Sequence, residues 1–505
     1  MNRYIRPHTR AIYWRTGAVF LTLLTLVHLS YVHHDSSAAA SEYISQLGLK
    51  ESWNAWSPAV ESWRTGMEML DGGDSDQMVL EGDESEWCSE AEYLDGAWVT
   101  REEEVTLDNI RRIYKFTPSG QLKCQAKNDR GNPSHDDPDF SARILETAQY
   151  EWRPNSGCRK HEFDKWNFAK YCLRSRGGCS IVGDSLADQI YSVIQSSVID
   201  SKDNLFVLHP SIERIYNITI NKNHPMAQRL AQDAGVTPDR LDRPFFNYWR
   251  EHHLIHREEL DAVLSGSPGY EPWTGGSSLA ENGWIWDRSW WFERWNWLLD
   301  QVVELGPRAS DGEVPKEENS VISFSTGPHW TTVELWPKEW HRTDTTDDLL
   351  KGFKGAADTV IKNVTAVSKE HKVLSWWRSA VAAHPECQQY DEPENNRTTH
   401  HSSRNPGAKA FNWNQFPVYD NYVANKLAYE PSTSRQPQND GSEMKFMNLW
   451  PLSVTRPDAH LKPTTDCMHY CSPGAPSEWL GFMWHSMVLH GENDDYDEPR
   501  TDEFW

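Results

Sequence analysis

The stretch CSIVGDSLADQI, residues 179–190, decides the fold because it joins a short apolar run to a helical pattern through Gly183, Asp184 and Ser185. Residues 180–182 suit a buried strand, and the apolar residues that follow recur at helical spacing through residue 198. The pattern predicts that Ser185 stands at a strand-to-helix turn. Ser185 is then either an exposed nucleophile or part of an ordinary helix cap, since glycine permits a tight turn and Asp or Ser commonly caps a helix.

Short apolar runs alternate with helical patterns along much of the chain. This alternation predicts an α/β architecture with a largely parallel central sheet. The candidate strands are residues 180–182, 205–208, 321–324, 373–377 and 446–449. The candidate helices are residues 186–198, 291–305, 347–367 and 476–489.

The first residues of the chain predict a membrane anchor. Four arginines precede an uncharged apolar segment at residues 16–32, and they are Arg3, Arg6, Arg10 and Arg15. This charge bias is typical of a type II protein, with residues 1–15 as a cytosolic tail and residues 16–32 as a single transmembrane signal-anchor helix. The segment is shorter than the roughly 20 residues that a bilayer usually requires, which favours the thinner membrane of the endoplasmic reticulum or Golgi. A cleaved signal peptide, with small residues at 38–40, is the alternative.

Composition divides the rest of the chain. Residues 33–86 are rich in small and acidic residues and predict a flexible acidic stem. Tryptophan, cysteine and apolar runs become frequent at Trp87, and one folded domain is expected over residues 87–490. Residues 491–505 predict a solvated acidic tail. Polar stretches that begin at Asp391 and Pro431 predict long exposed loops within the domain.

Charge and cysteine content restrict the partners. Lys and Arg total 50 against 74 Asp and Glu, and the net charge of −24 argues against nucleic acid as a partner.

Eight cysteines in a chain that enters the secretory pathway predict disulfides, although spacing leaves 105 pairings open. The cysteine spacing predicts no zinc site, and no other metal site is expected. Three Asn-x-Thr sequons, at Asn217, Asn363 and Asn396, agree with lumenal exposure.

Tryptophan is abundant, with 26 residues and a cluster in GWIWDRSWWFERWNWLLD at residues 283–300. Aromatic faces suit stacking on sugar rings, which suggests a carbohydrate cleft. The alternative is core packing, in which an amphipathic helix buries one stripe of apolar side chains. That stripe would comprise Trp291, Trp295, Leu298, Leu299 and Val302.

A serine nucleophile requires a histidine base and a group that orients the base. The stretch TTDCMHYCSPG, residues 464–474, places Asp466 three residues before His469 and a cysteine on each side of the histidine. In a tight loop or helical turn this spacing lets the carboxylate accept a bond from imidazole Nδ1 while Nε2 faces outward. Cysteines at 467 and 471 would hold the loop if both form disulfides.

The Gly183-Asp184-Ser185 triplet followed by Asp466-x-x-His469 resembles the SGNH/GDSL hydrolase plan. More closely, residues 88–489 resemble the trichome birefringence-like and PC-esterase group of polysaccharide O-acetyltransferases. Besides the triplet, five stretches in order carry that resemblance: CSEAEYLDGAWV, YEWRPNSGCRKHEFDKWNFAKYC, ISFSTGPHW, WWRSAVAAHPEC and MNLWPLSVTRPDAHLKPTTDCMHYCSPGAPSEWL.

The resemblance implies a three-layer α/β/α domain that moves acetyl groups onto glycan hydroxyls in the Golgi lumen. It makes Ser185 the nucleophile, His469 the base and then acid, and Asp466 the orienting carboxylate. No tightly bound cofactor is expected, and an acetyl donor such as acetyl-CoA would serve as co-substrate beside a glycan acceptor.

Further candidates surround the predicted nucleophile. The backbone N–H of Ser185 lies at a helix N-terminus and is the natural oxyanion donor. Gly327 and His329 are candidates for further donors or substrate contacts, as are Gly183 and Asp184, although Asp184 is also suited to bracing the turn. His384 and His460 are either part of the site or supports for a loop.

One departure and two alternatives remain. Where the plant members usually have an Arg-Asn pair after the triplet, this chain has Asp188-Gln189, which removes a candidate anion contact. An acetyl esterase is the first alternative, because water or a sugar hydroxyl can resolve the same acyl-serine. A catalytically inactive glycan-binding protein is the second.

Overall fold

The computed structural model describes residues 86–124, 138–210, 214–267, 289–331, 346–396, 411–428, 444–462 and 466–496, together with Tyr270 and Leu335. All of them belong to one compact unit, Leu80–Trp505. The predicted cytosolic tail, the predicted anchor and the predicted stem up to residue 85 lie outside the described residues, as do residues 397–407 and 431–443 of the two predicted loops. Within the described part, no helix combines the length and apolar character needed to cross a bilayer.

A seven-stranded sheet forms the centre of this unit in the described residues. Its strands are β4 Cys179–Gly183, β5 Phe206–Pro210, β6 Ile215–Ile220, β7 Phe246–Arg250, β8 Ser320–Ser325, β9 Val373–Arg378 and β10 Lys445–Met447. The spatial order is β10-β9-β8-β4-β7-β6-β5, and the first five strands of that order run parallel. Strands β6 and β5 complete one edge as antiparallel neighbours. The predicted α/β class with a largely parallel sheet is therefore confirmed.

Two small sheets accompany the central one. Strand β1, Gly96–Thr100, pairs with β3, Tyr150–Pro154. Strand β2, Lys123–Cys124, pairs with β11, Cys471–Ser472. The second pairing joins the start of the domain to the segment that follows His469.

Twelve α-helices are present in the described residues. They are α1 Glu90–Leu94, α2 Ile110–Ile113, α3 Pro138–Ala148, α4 Lys165–Leu173, α5 Ser185–Val198, α6 Pro225–Ala234, α7 Arg257–Leu264, α8 Trp291–Leu299, α9 Thr346–Ser368, α10 Phe416–Lys426, α11 Trp450–Val454 and α12 Ala475–Leu489. Helix α5 follows β4 directly and buries the predicted apolar side chains. Its Tyr191 stacks on Tyr248 of β7, with ring centroids 4.7 Å apart, so α5 covers β7 as well as β4.

The tryptophan-rich helix α8 ends earlier than the sequence predicts. Trp291 and Trp295 are buried, as are the two leucines of the predicted stripe, so core packing is confirmed for these side chains. The helix stops at Leu299, and Val302 is 66% exposed rather than buried. The rest of the cluster before Ser289 lies outside the described residues.

All eight cysteines lie in the described part of the chain and form disulfides. The pairs are Cys88–Cys158, Cys124–Cys471, Cys172–Cys179 and Cys387–Cys467. Disulfides are thus confirmed, and the structure supplies the connectivity that spacing left open. Two of the pairs anchor the segment on either side of His469.

The folded domain extends beyond the expected boundary at residue 490. Asp495 forms an ion pair with Arg174 at 2.7 Å, and Tyr496 is 2% exposed. Residues 491–496 were predicted to belong to a solvated acidic tail, but Asp495 has buried cationic partners that a charge run in the sequence does not reveal. The remaining residues, 497–505, lie outside the described part.

Candidate active site

The turn between β4 and α5 is built around Gly183. A Cβ atom at this position would lie 2.5 Å from the carbonyl oxygen of Ser325 on β8 and 2.8 Å from Cβ of Ala187. A larger residue would therefore push β4 away from β8. Because β4 ends here, the next side chains project from the carboxyl edge of the parallel strands, where ligands bind in open α/β sheets.

Asp184, rather than Ser185, caps helix α5. The Asp184 side chain accepts a hydrogen bond from the Leu186 N–H at 2.9 Å, and α5 begins at Ser185. Asp184 therefore provides the helix cap that the sequence predicts, and the Ser185 hydroxyl is available for another partner. The Ser185 N–H belongs to the first turn of the helix, whose amides lack intrahelical acceptors and favour negative charge.

A continuous hydrogen-bonded chain joins Ser185 to the C-terminal loop. Ser185 Oγ lies 2.8 Å from His469 Nε2, and His469 Nδ1 lies 2.8 Å from Asp466 Oδ2. Asp466 Oδ1 also accepts the N–H groups of Met468 and His469, at 3.3 and 3.2 Å. With Asp466 as acceptor, Nδ1 carries the imidazole proton and Nε2 is free to accept the proton of Ser185.

The carboxylate of Asp466 is held in its ionised form. Burial alone would raise its pKa, but the hydrogen bonds and charge of His469, with the two backbone N–H groups, outweigh burial and hold the pKa below its ordinary value. The side chains of His469 and Asp466 are 16% and 14% exposed. Most of the surface of this pair is therefore shielded from bulk water, and a small part of it remains exposed.

Gln189 ties the loop to helix α5, a role that sequence reasoning missed. Its Nε2 donates to the carbonyl of Tyr470 at 2.7 Å, and the Tyr470 N–H donates to Gln189 Oε1 at 3.3 Å. Gln189 lies one turn after Ser185, so this reciprocal contact sets the distance between the serine and the histidine. In the sequence, Gln189 was notable only as part of a departure from the family pattern.

Two buried histidines, His460 and His384, support the loop that carries His469. His460 Nδ1 donates to the carbonyl oxygen of His469 at 2.7 Å, and His460 Nε2 lies 2.8 Å from His384 Nδ1. His384 Nε2 lies 3.0 Å from the carbonyl oxygen of Val454. Burial lowers the pKa of His460 to about 4. Of the two sequence readings for these residues, the contacts favour support of a loop.

The other predicted site residues lie at different places around the turn. Asp184 is fully buried, and burial raises its pKa against the opposing charges of His329 and Arg378. His329 therefore lies near Asp184, and its ring stacks on His252 with centroids 3.6 Å apart. A side chain at Gly327 would contact Ala380 and Phe416. The roles of Gly327 and His329 as oxyanion donors or substrate contacts stay predictions.

A mostly parallel α/β sheet, with a serine at the turn after a central strand and an Asp-x-x-His pair from a C-terminal loop, matches the SGNH-like class of fold. The comparisons with known proteins agree with this class. Residues 313–486 match the PC-Esterase family, described as a GDSL/SGNH-like acyl-esterase family found in Pmr5 and Cas1p. That segment includes Asp466 and His469, whereas Ser185 precedes it.

The chain is also similar to Protein trichome birefringence-like 40 of Arabidopsis thaliana. The two are 22% identical over 351 residues, which cover 67% of this chain and 76% of the relative. Together the two matches confirm the resemblance to the trichome birefringence-like and PC-esterase family that the sequence motifs indicate.

Proposed function

We propose that the chain is a lumenal glycan O-acetyltransferase that works through an acyl-serine intermediate. The observation that carries the proposal is the hydrogen-bonded chain from Ser185 through His469 to Asp466. Such an arrangement activates a hydroxyl that is otherwise a poor nucleophile at neutral pH. The family relationship supports acyl-ester chemistry of the esterase or acetyltransferase type.

In the first half of the proposed reaction, Ser185 Oγ attacks the carbonyl carbon of an acetyl donor while His469 Nε2 takes the hydroxyl proton. The negative charge that develops on the carbonyl oxygen is stabilised by the Ser185 N–H at the start of α5. The tetrahedral intermediate collapses to acetyl-Ser185, and His469 gives its proton to the leaving group. The donor, for which acetyl-CoA is our proposal, acts as a co-substrate, and its deacetylated form leaves at the end of this first half.

In the second half, a glycan hydroxyl gives its proton to His469 and attacks the acetyl carbon. The ester bond to Ser185 breaks, Ser185 recovers a proton from His469, and the O-acetylated glycan departs. Asp466 stays ionised throughout and stabilises the imidazolium form of His469.

An acetyl esterase is the second candidate, because the matched family is described as one of acyl-esterases. In that case water replaces the glycan hydroxyl in the second half, and the same three residues act in the same order. The two functions differ in what resolves acetyl-Ser185.

We also propose that the catalytic domain faces the lumen of the Golgi or endoplasmic reticulum, with residues 16–32 as a type II anchor. Four disulfides support an oxidising compartment, since structural disulfides are rare in the cytosol. The arginine-rich start and the apolar segment support the orientation.

The test uses the full-length protein, the Ser185→Ala variant and a Ser196→Ala control on the same helix. Each is incubated with a small acetyl ester, and mass spectrometry locates acetyl groups on the peptide that contains Gly183. An adduct on the wild type and the control, absent from Ser185→Ala and discharged faster by added oligosaccharide, is the expected result. If added oligosaccharide does not accelerate the loss of the acetyl group from Ser185, the esterase is favoured. If the wild type shows neither an adduct nor ester turnover, a catalytically inactive glycan-binding protein is favoured.

A further inference from the structure

Two arginines face each other beside the turn that carries Ser185. In the antiparallel register of β6 and β7, Ile215 pairs with Trp249 and Tyr216 with Tyr248. The next pair is Arg214 and Arg250, and the Arg250 N–H donates to the Arg214 carbonyl at 3.2 Å. Like charges directly opposite each other on neighbouring strands are destabilising. Arg214 also has φ of 59°, a backbone conformation that is unfavourable for a side chain of this kind.

Arg250 lies on the face of the sheet that α5 covers, and Tyr216 and Tyr248 of that face act electrostatically on Arg214. Tyr248 stacks on Tyr191 of α5 with ring centroids 4.7 Å apart, and Tyr216 packs against Tyr191 in a tilted arrangement at 5.2 Å. Side chains two residues apart along a strand share a face, so Arg250 follows Tyr248 toward the first turn of α5. Arg250 is also the residue that pairs with Gly183 across β7 and β4. The charge of Arg250 acts on Asp188, which lies one turn after Ser185 on α5.

Asp188 and Lys123 complete this cluster. Asp188 lies one turn after Ser185 on α5, and residues three apart on a helix are neighbours at roughly 5–6 Å between Cβ atoms. Burial raises the pKa of Asp188, while the charges of Lys123, Arg250 and His469 act against that rise. Lys123 is held over the next turn by a 3.4 Å contact from Nζ to Ser192 Oγ. The carboxylate of Asp188 is thus within electrostatic reach of Lys123, Arg250 and the candidate base His469.

The guanidinium of Arg250 is incompletely satisfied by the described part of the chain. Its Nε is buried and has no hydrogen-bond partner among the described residues. Burial and the charge of Arg250 together lower the pKa of the neighbouring Arg214. Acidic residues are in excess in this chain, whose net charge is −24. The positive charges of Arg214, Arg250 and Lys123 near His469 therefore contrast with the overall negative charge of the protein.

We propose that Arg250 and Arg214, assisted by Lys123, bind an oxyanion of the substrate beside Ser185. Guanidinium groups bind carboxylate and phosphate oxygens with two parallel hydrogen bonds, so the shared chemistry is that of a planar or tetrahedral oxyanion. The anion is either the carboxylate of an acidic sugar in the acceptor or a phosphate of the acetyl donor. A bound anion would offset the repulsion between the two arginines. The inference deepens the proposed function, on which it rests.

Asp188 has a defined part in this proposal. Without substrate its carboxylate is an internal counter-ion for Arg250 and Lys123, and it competes with an incoming anion. Asp188→Asn should therefore strengthen anion binding, whereas Arg250→Gln and Arg214→Gln should weaken it. A merely structural ion pair would not give effects of opposite sign on the affinity for a ligand.

The experiment measures equilibrium binding by calorimetry on the full-length protein at low salt, with two matched pairs of probes. The first pair is a xylo-oligosaccharide that carries glucuronate and the same oligosaccharide with the carboxylate reduced to an alcohol. The second pair is coenzyme A and pantetheine. Variants Arg250→Gln, Arg214→Gln and Asp188→Asn are compared with Lys222→Gln, which changes an exposed lysine paired with Asp242.

The expected result is that the wild type and Lys222→Gln bind the anionic member of one pair at least tenfold more tightly than its neutral partner. Arg250→Gln should remove most of that preference, and Asp188→Asn should increase it. A preference within the first pair assigns the anion to the acceptor, and a preference within the second assigns it to the donor. Equal affinity for both members of both pairs, or a preference that Arg250→Gln retains, would overturn the proposal.

Thermal unfolding of each variant shows whether the fold is intact. If Arg250→Gln does not fold, the proposal is tested by the other two variants. Arg214→Gln should weaken and Asp188→Asn should strengthen the binding of the anionic probe. Because binding is measured without turnover, its outcome is separate from the acyl-serine test. An anion preference without any acetyl adduct would refute the proposed function and leave the oxyanion site standing.

Discussion

Ser185 Oγ and His469 Nε2 lie 2.8 Å apart although 284 residues separate them along the chain. One partner follows a central strand of the sheet, and the other lies in a loop that precedes the last helix. Gln189, His460 and two disulfides hold that loop in place. The geometry of the site is therefore a property of the whole domain.

His469→Ala should reduce turnover of a small acetyl ester by roughly 10²-fold or more, because a positioned base contributes at least that much. The loss should appear in kcat. His209→Ala, which removes a histidine at the exposed end of β5, should retain wild-type rates. Equal activity of the two variants would exclude His469 as the base.

Asp466→Asn should fold normally but lose activity by orders of magnitude. The amide cannot hold Nδ1 as the donor and Nε2 as the acceptor in the way the carboxylate does. Circular dichroism checks the fold, and ester turnover checks the rate. Asp242→Asn, an exposed aspartate, is the control, and an Asp466→Asn enzyme with normal kcat would contradict the assignment.

Removing the Cys387–Cys467 disulfide by a double Cys→Ser substitution should lower both stability and activity. The sequence separation is 80 residues, for which loop-closure entropy predicts a loss of roughly 4.5 kcal/mol. Activity should fall because Cys467 adjoins Asp466. The matched control removes Cys172–Cys179, whose separation is 7 residues, and it should cost less stability. Denaturant unfolding and ester turnover measure both effects.

His460→Leu should leave the carbonyl of His469 and the imidazole of His384 without their buried partner, at a cost of about 1–3 kcal/mol for each unsatisfied group. As a positioning residue, His460 should affect kcat more than KM. His460→Asn retains an amide donor and should recover part of the loss. A His460→Leu enzyme with wild-type kcat and stability would show that the loop does not need this support.

Glu251 should make the domain less stable as the pH rises. It is buried, and burial raises its pKa from 4.5 to about 8 despite opposing hydrogen bonds from Ser289 and the Trp290 N–H. A carboxyl group with a raised folded-state pKa contributes stability that is fully present below pH 4.5 and is lost as the pH rises through about 8. Glu251→Gln should flatten this dependence between pH 5 and pH 8, measured by denaturant unfolding. Glu313→Gln, an exposed glutamate, should leave the dependence unchanged.

The strand, turn and helix around Ser185 could be predicted because their pattern is local. The sequence alone does not show whether Ser185 caps the helix, because Asp and Ser are both common cap residues. The hydrogen bond from the Leu186 N–H to Asp184 shows that Asp184 is the cap. The Asp466-x-x-His469 spacing likewise predicted a pair, and the structure supplies its contact with Ser185. Both features depend on few neighbouring residues.

Features that depend on distant partners escaped prediction. Strand β7 adjoins β4, yet its sequence FNYWR mixes aromatic residues with buried Asn247 and shows neither alternation nor a continuous apolar run. Asp495 looks solvated in an acidic stretch, but its partner Arg174 lies 321 residues away. The end of α8 at Leu299 and the disulfide pairing also follow from tertiary packing.

The late position of the His469 loop affects how the protein matures. A growing polypeptide emerges from its N-terminal side, so the Ser185 turn is synthesised long before Asp466 and His469. On the mechanism proposed above, the Ser185 hydroxyl therefore lacks its base during that interval. On that mechanism, the serine gains its base only when the loop that carries His469 docks, and Cys387–Cys467 and Cys124–Cys471 attach that loop to the rest of the domain.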